Sequence, residues 1–178
     1  MEIVHCTLGR HGEAMLEIVN EAILNSTAVY DYHPRSMNGM RNWFAVKETA
    51  GFPVIGMEGP QGQLLGFASY GTFRAWPAYR YTVETSVYIH HHARGKGHGH
   101  HLMHELIKLA RMQQVHTLVA CIDMQNKASI RLHEKLGFTC SGIIREAGYK
   151  FGQWLDAGFF QLILDTPANP DEAGLETT

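Results

Sequence analysis

Nowhere in the 178 residues is there an apolar run of ~18 side chains, the length needed to cross a bilayer, so no membrane role is expected. Positive charge is also short: 15 Lys and Arg against 17 Asp and Glu leave a formal net charge of -2. That balance supplies no basic field for nucleic acid and no acidic tail, and a small-molecule partner fits better. Cysteine is scarce, with only Cys6, Cys121 and Cys140 at wide, unpatterned spacing. A secreted disulfide framework needs an even, closer set, so the three read as buried small apolar residues of a reducing compartment, and a cytoplasmic location is expected. The opening MEIVHCTLGRHGEAM joins no basic segment to an apolar run, so no targeting leader is expected.

What is present is apolar mass. Hydrophobic side chains make up 45% of the chain, enough to bury one sizeable core in a length too short for two ordinary domains. One domain over residues 1–165 is expected, followed by a polar, disordered tail over 166–178.

Periodicity orders the elements. Residues 3–6 suit a short strand, and Met15, Ile18, Val19, Ala22 and Ile23 then recur at helical spacing. A second helix over 37–49 stops before Gly51 and Pro53. Strands at 54–58 and 64–70 flank GPQGQ, a hairpin turn by composition. Residues 81–89, YTVETSVYI, carry the β-branched and aromatic side chains of a central strand. A glycine loop, a helix over 98–112 and a buried strand over 117–123 follow. Asn126 is placed to cap a short helix that Gly137 ends, and strands at 139–149 and 154–164 finish the sheet.

The loop RGKGHG, Arg94 to Gly99, lies between a strand and a helix. There, successive backbone N–H groups and the helix N-terminus favour an anion such as pyrophosphate. Gly95, Gly97 and Gly99 allow close backbone approach, and Arg94 and Lys96 add charge. The spacing is neither that of a Walker loop nor that of a dinucleotide fingerprint, so nucleotide hydrolysis is not expected.

Here the chain resembles the GCN5-related N-acetyltransferase (GNAT) family, whose motif of Arg or Gln, two residues, Gly, one residue, then Gly or Ala is met by Arg94, Gly97 and Gly99. NKASIRLHEKLGF, from Asn126, is similar to the family's second cofactor motif. The resemblance implies an α/β acyl-CoA N-acyltransferase fold, a mixed and mostly antiparallel sheet flanked by helices, with acetyl-CoA as co-substrate and no metal. It implies that the strand before the loop splays from its neighbour so that Val87, Tyr88 and Ile89 pair with pantetheine. By the same resemblance Gly95, Lys96, Gly97, His98, Gly99 and His100 hold the pyrophosphate, and Asn126 and Lys135 contact the cofactor. More narrowly, the segments NEAILNSTAVYD, GFASYGTFR, SIRLHEKLGF and KFGQWLD are similar to the phosphinothricin and methionine sulfoximine acetyltransferase subgroup. His133 stands where many wider-family members carry Tyr. A homodimer is implied, with the KFGQW region near the active site.

An amine attacks a thioester only as the free base, and the departing thiolate must gain a proton. Glu84, inside an apolar strand near the expected acetyl position, has the desolvation that raises a carboxyl pKa and suits a base acting directly or through water. Its other readings are a hydrogen bond to substrate or an ion pair with an arginine such as Arg80. His133 serves as thiolate acid, water orienter or structural group; Tyr88 is an acid or core. A backbone N–H near Tyr88 is expected to polarise the thioester oxygen. Arg74 offers a planar fork for a substrate carboxylate, unless it is a solvated loop charge. The subgroup places substrate contacts at Arg74, Ala75, Trp76, Glu84, Thr85 and Ser86. Seven of the 12 histidines fall between His90 and His104. They read as surface histidines, against a metal site at His100 and His104 one helical turn apart.

Direct transfer from acetyl-CoA to the α-amine of an amino-acid-like acceptor is therefore the expected activity. Phosphinothricin, methionine sulfoximine, methionine sulfone and an unknown metabolite stay open as acceptors, and resistance and metabolism as roles. The competing readings are an aminoglycoside, polyamine or protein N-terminus as acceptor, and a non-catalytic acyl-CoA sensor or metal-binding module.

Overall fold

In the computed structural model, which describes residues 1–172, the elements follow these periodicities closely. They run β1 (Glu2–His5), α1 (Leu8–Asn25), α2 (Met37–Thr49), β2 (Val54–Glu58), β3 (Leu64–Thr72), β4 (Thr82–Ile89), α3 (His98–Met112), β5 (Thr117–Asp123), α4 (Lys127–Lys135), β6 (Thr139–Lys150) and β7 (Gln153–Ile163). Two short 3₁₀ turns, Pro77–Tyr79 and His91–Ala93, occupy the loops on either side of β4. The seven strands form one sheet in the order β1-β2-β3-β4-β5-β7-β6. Every pairing is antiparallel except β4 with β5, which gives the mixed, mostly antiparallel sheet expected.

Strand alternation splits the core between the two faces. Val83, Val87 and Ile89 of β4 turn toward a cluster built on Leu102, Met103, Leu106 and Ala110 of α3 with Ile130 of α4. Tyr88 turns the other way, onto a cluster of Met15, Ile18, Val19 and Ile23 from α1 with Met40 from α2. Phe67, its partner in register on β3, packs against it with ring centroids 5.3 Å apart.

One departure from regular pairing positions everything that follows. β4 pairs with β5 only through Thr82↔Thr117, Val83↔Leu118 and Glu84↔Val119. Beyond Glu84 the two strands diverge, and Thr85 to Ile89 have no backbone partner on β5. Thr85 bridges the start of the gap, its Oγ1 donating to Val119 O at 3.2 Å.

Of the polar tail, Thr166 and Asp171 are tied to the body. Thr166 Oγ1 donates to Val115 O at 2.5 Å, and Asp171 accepts from Arg80 Nη1 at 2.5 Å. Its last stretch, 173–178, lies outside the described residues.

Candidate active site

The divergence of β4 from β5 opens a cleft of about 1630 Å³ that runs from the α3 N-terminus through the sheet to the loop after α1. Glu84, Thr85, Ser86, Val87, Tyr88 and Ile89 form one wall and Ala120, Cys121, Ile122 and Asp123 the other. Arg94, Gly95, Gly97, His98, Gly99 and His100 lie at one end, beside Asn126, His133 and Lys135.

That end combines features that favour an anion. Gly97 is the α3 N-cap at φ 83° and Gly95 has φ 77°, left-handed conformations that only glycine adopts without strain. No atom lies within 4 Å of where a Cβ would sit on either, so the backbone faces open space. The first N–H groups of α3 have no intrahelical partner and carry the positive end of its dipole. On α4, Asn126 Oδ1 accepts from Ser129 N at 3.1 Å, the cap its position suggests. Of the two loop cations only Arg94 reaches the cleft. Its Nε donates to Ile89 O at 3.1 Å and its Nη2 pairs with Glu21 of α1. Lys96 turns away, its Nζ donating to His92 O at 3.3 Å beside a second cavity of about 810 Å³ behind the loop.

Glu84 stands where the pairing ends, half-buried and on the α1 side of the sheet. Burial raises its pKa above the usual carboxylate range, and the nearby Arg74 guanidinium opposes part of that rise. Arg80, the alternative partner weighed above, pairs with Asp171 instead. Arg74 donates to Phe73 O at 2.8 Å and stacks on the Phe73 ring at 4.3 Å. Arg74, Ala75 and Trp76 do not line the cleft, and Trp76 is 69% exposed.

The two proton-handling candidates differ in state. Burial raises the Tyr88 pKa, so its phenol stays protonated. His133 is 3% exposed, packs edge-on against Phe138, and has its pKa lowered by burial. Its Nδ1 lies 2.8 Å from Ser129 O, which can only accept. The neutral ring therefore carries its proton on Nδ1 and presents Nε2 as a lone pair.

Two expectations are corrected. Only Cys6 is buried; Cys121 and Cys140 are exposed. Cys121 lines the cleft, where partial desolvation by the surrounding walls, then the Glu84 charge, raises its thiol pKa. The histidines are not uniformly at the surface either, since His98, the first residue of α3, is 7% exposed beneath the loop. His100 and His104 stack with rings 6.5 Å apart. Among the described residues, no group of three or more His, Cys, Asp or Glu is placed to hold a metal ion.

The far end of the cleft holds residues that sequence reasoning missed, Tyr30, Asp31 and Arg35 on the loop after α1 and Asp123 at the end of β5, together with Phe151 of the KFGQW region expected near the active site. Asp31 pairs with Arg35 at 2.9 Å, Thr27 Oγ1 donates to Asp123, and burial and then the charges of Asp123, Cys121 and Asp156 push the Tyr30 phenol up to about 12. The opposite charges of Asp31 and Arg35 beside Pro34, and the NEAILNSTAVYD segment that ends on Asp31, were the sequence signals there.

Comparison with known proteins points the same way. The acetyltransferase (GNAT) domain family matches residues 14–158. The L-methionine sulfoximine/L-methionine sulfone acetyltransferase of Pseudomonas aeruginosa is 43% identical over 151 residues, 85% of this chain and 88% of that protein. A solved candidate acetyltransferase from Acinetobacter baylyi is 58% identical, with a TM-score of 0.95 over 96% of each chain. A GNAT superfamily phosphinothricin acetyltransferase from Sinorhizobium meliloti, solved in complex with acetyl-CoA, is 31% identical, with a TM-score of 0.91 over 99% of this chain and 95% of that one.

Proposed function

The chain belongs to the GNAT acetyltransferase family, and from that premise we propose that it transfers acetyl from acetyl-CoA to the α-amine of a small amino-acid-like acceptor, as its relatives do with methionine sulfoximine, methionine sulfone and phosphinothricin. The observation that carries this reading is the splay of β4 from β5, which leaves the β5-facing edge of β4 without a partner from the half-buried Glu84 to the glycine-laced N-terminus of α3.

Bound acetyl-CoA supplies the thioester. Val87, Tyr88 and Ile89 hold pantetheine by strand-like pairing, the 95–100 loop takes the pyrophosphate, and Asn126 and Lys135 contact the cofactor at its pantetheine amide and its phosphate end. Arg74 receives the acceptor carboxylate by a swing of its loop, with Ala75 and Trp76 covering the side chain and Thr85 and Ser86 beside the amine. Glu84 takes one proton from the acceptor ammonium, which frees the nitrogen lone pair to form the C–N bond. A strand N–H near Tyr88 donates to the thioester oxygen as charge builds there. When the C–S bond breaks, the Tyr88 phenol protonates the sulfur and recovers a proton from the new amide nitrogen. His133, with its N–H committed to Ser129, accepts at Nε2 and orients water rather than protonating the thiolate.

The reading also takes two copies of the chain. β6 is exposed along almost its whole length, and Ile143, Ile144, Tyr149, Phe151 and Trp154 leave an apolar face around the β6–β7 hairpin. Light scattering should report twice the chain's 20.0 kDa.

The deciding experiment is thiol release from acetyl-CoA with methionine sulfoximine, phosphinothricin, spermidine and an aminoglycoside. Turnover on the first two and not the others is expected; turnover confined to amines without a carboxylate would overturn the acceptor class.

A further inference from the structure

The acceptor end of the cleft depends on residues 26–35, a segment with no regular structure to hold it. α1 ends without a basic residue in its last turn, although its final carbonyls carry the negative end of the helix dipole and need donors. Ser26 donates to Ala22 O through both N and Oγ, and a further donor comes from the far end of the chain. Lys150, the last residue of β6 and 4% exposed, points Nζ at the carbonyls of Ile23 (2.7 Å), Ser26 (3.0 Å) and Val29 (2.6 Å). An ammonium has three protons to donate, and here three carbonyl oxygens take them.

Two neighbouring contacts tie the same segments together. Tyr32 Oη donates to Tyr149 O at 2.6 Å. The Tyr30 ring lies so close over Gly148 that a Cβ there would come within 2.8 Å of Tyr30 Cε2. The segment thus anchored carries Tyr30, Asp31 and Arg35 into the cleft, and Phe151, next to Lys150, lines it too.

We propose that Lys150 is a positioning residue for acceptor recognition: its ammonium straps the 26–35 loop to the β6–β7 hairpin and so sets the shape of the acceptor half of the site, independently of the acetyl-CoA half. The inference rests on reading the cleft as an acetyl-CoA and amino-acid site. It predicts a split that general loss of structure would not produce.

The test is Lys150→Met in the full chain, which keeps an unbranched side chain one atom shorter and removes the three donors. Acceptor KM is expected to rise roughly tenfold or more, with KM for acetyl-CoA held within about twofold. Hydrogen exchange should show loss of protection at 26–35 while β4 and α3 keep theirs. Gly148→Ala, which pushes on Tyr30 and leaves the ammonium in place, should give a smaller shift of the same kind. If Lys150→Met does not fold, Gly148→Ala decides by the same split. A parallel rise in both KM values, or unchanged exchange at 26–35, overturns the proposal. Wild-type protein with no turnover on any amino-acid acceptor would instead sink the functional reading, and the exchange measurement would still decide the strap.

Discussion

Replacing Glu84 with glutamine keeps the side chain's size and polar tip and removes its ability to take a proton. Glu84 holds the last position at which β4 pairs with β5, is half-buried, and accepts no hydrogen bond from a described residue. The substitution therefore orphans no partner, and its effect on folding stability should stay within about 0.5 kcal/mol. Its effect on catalysis should be far larger. A positioned general base contributes roughly 10²- to 10⁴-fold, about 2.7–5.5 kcal/mol of barrier at ~1.36 kcal/mol per tenfold. The pH dependence gives a second signature. Burial raises the Glu84 pKa above its ordinary 4.5, so the folded state keeps this proton where the unfolded chain has lost it. Ionising Glu84 hence costs stability above pH 4.5, and the glutamine variant should be at least as stable at neutral pH, the difference vanishing in more acid solution. In wild type, kcat/KM should climb with pH as Glu84 ionises, along a limb displaced above the usual carboxylate range; the variant should lack that limb. Thiol release followed across pH, with thermal melts beside it, measures both. A variant that keeps more than about a tenth of wild-type kcat/KM, or the same acid limb, refutes the base assignment.

Arg74→Ala removes the guanidinium that opposes the rise in the Glu84 pKa, so the acid limb of the rate profile should move to higher pH. Acceptor KM should also rise about tenfold or more if the guanidinium binds the acceptor carboxylate. An unmoved limb would remove Arg74 from the site. Gly97→Ala places a Cβ at φ 83°, at a cost of about 1–2 kcal/mol, and should lower Tm and raise KM for acetyl-CoA, as melts and initial rates will show. His133→Gln tests the buried neutral ring. Its folded pKa lies below the ordinary 6.5, so its stabilising contribution is complete above pH 6.5 and shrinks as pH falls from there toward the folded value. The difference in Tm between wild type and variant should follow that course, and a pH-independent difference would contradict it.

Much of the architecture was legible because its signals are local. Period two in YTVETSVYI and period three to four in the helix over 98–112 decide which side chains face inward before any distant contact forms, and the observed bounds of α2, β2, α3 and β5 match those expected. The glycine loop and the Asn126 cap were legible for the same reason, since their meaning depends on residues one to three positions away. Directions were harder to read. Lys96 and Arg94 are two residues apart in one loop, yet only Arg94 enters the cleft, because Glu21 of α1 stands on that side to receive it. Cys121 lines the cleft that the splay opens, which a buried-strand pattern does not distinguish.

The amino-acid sequence by itself thus determined the order of elements, the glycine loop ahead of α3 and a carboxyl group inside an apolar strand, all set by backbone preferences and side-chain spacing within a few residues. Only the tertiary structure decided where β4 parts from β5, which charges face the resulting cleft, and how Lys150 reaches Ile23 across 127 positions of chain. Hydrophobic burial drives the packing and leaves no periodic trace of which distant polar groups it brings within hydrogen-bond range; those pairings exist only once the chain has closed on itself.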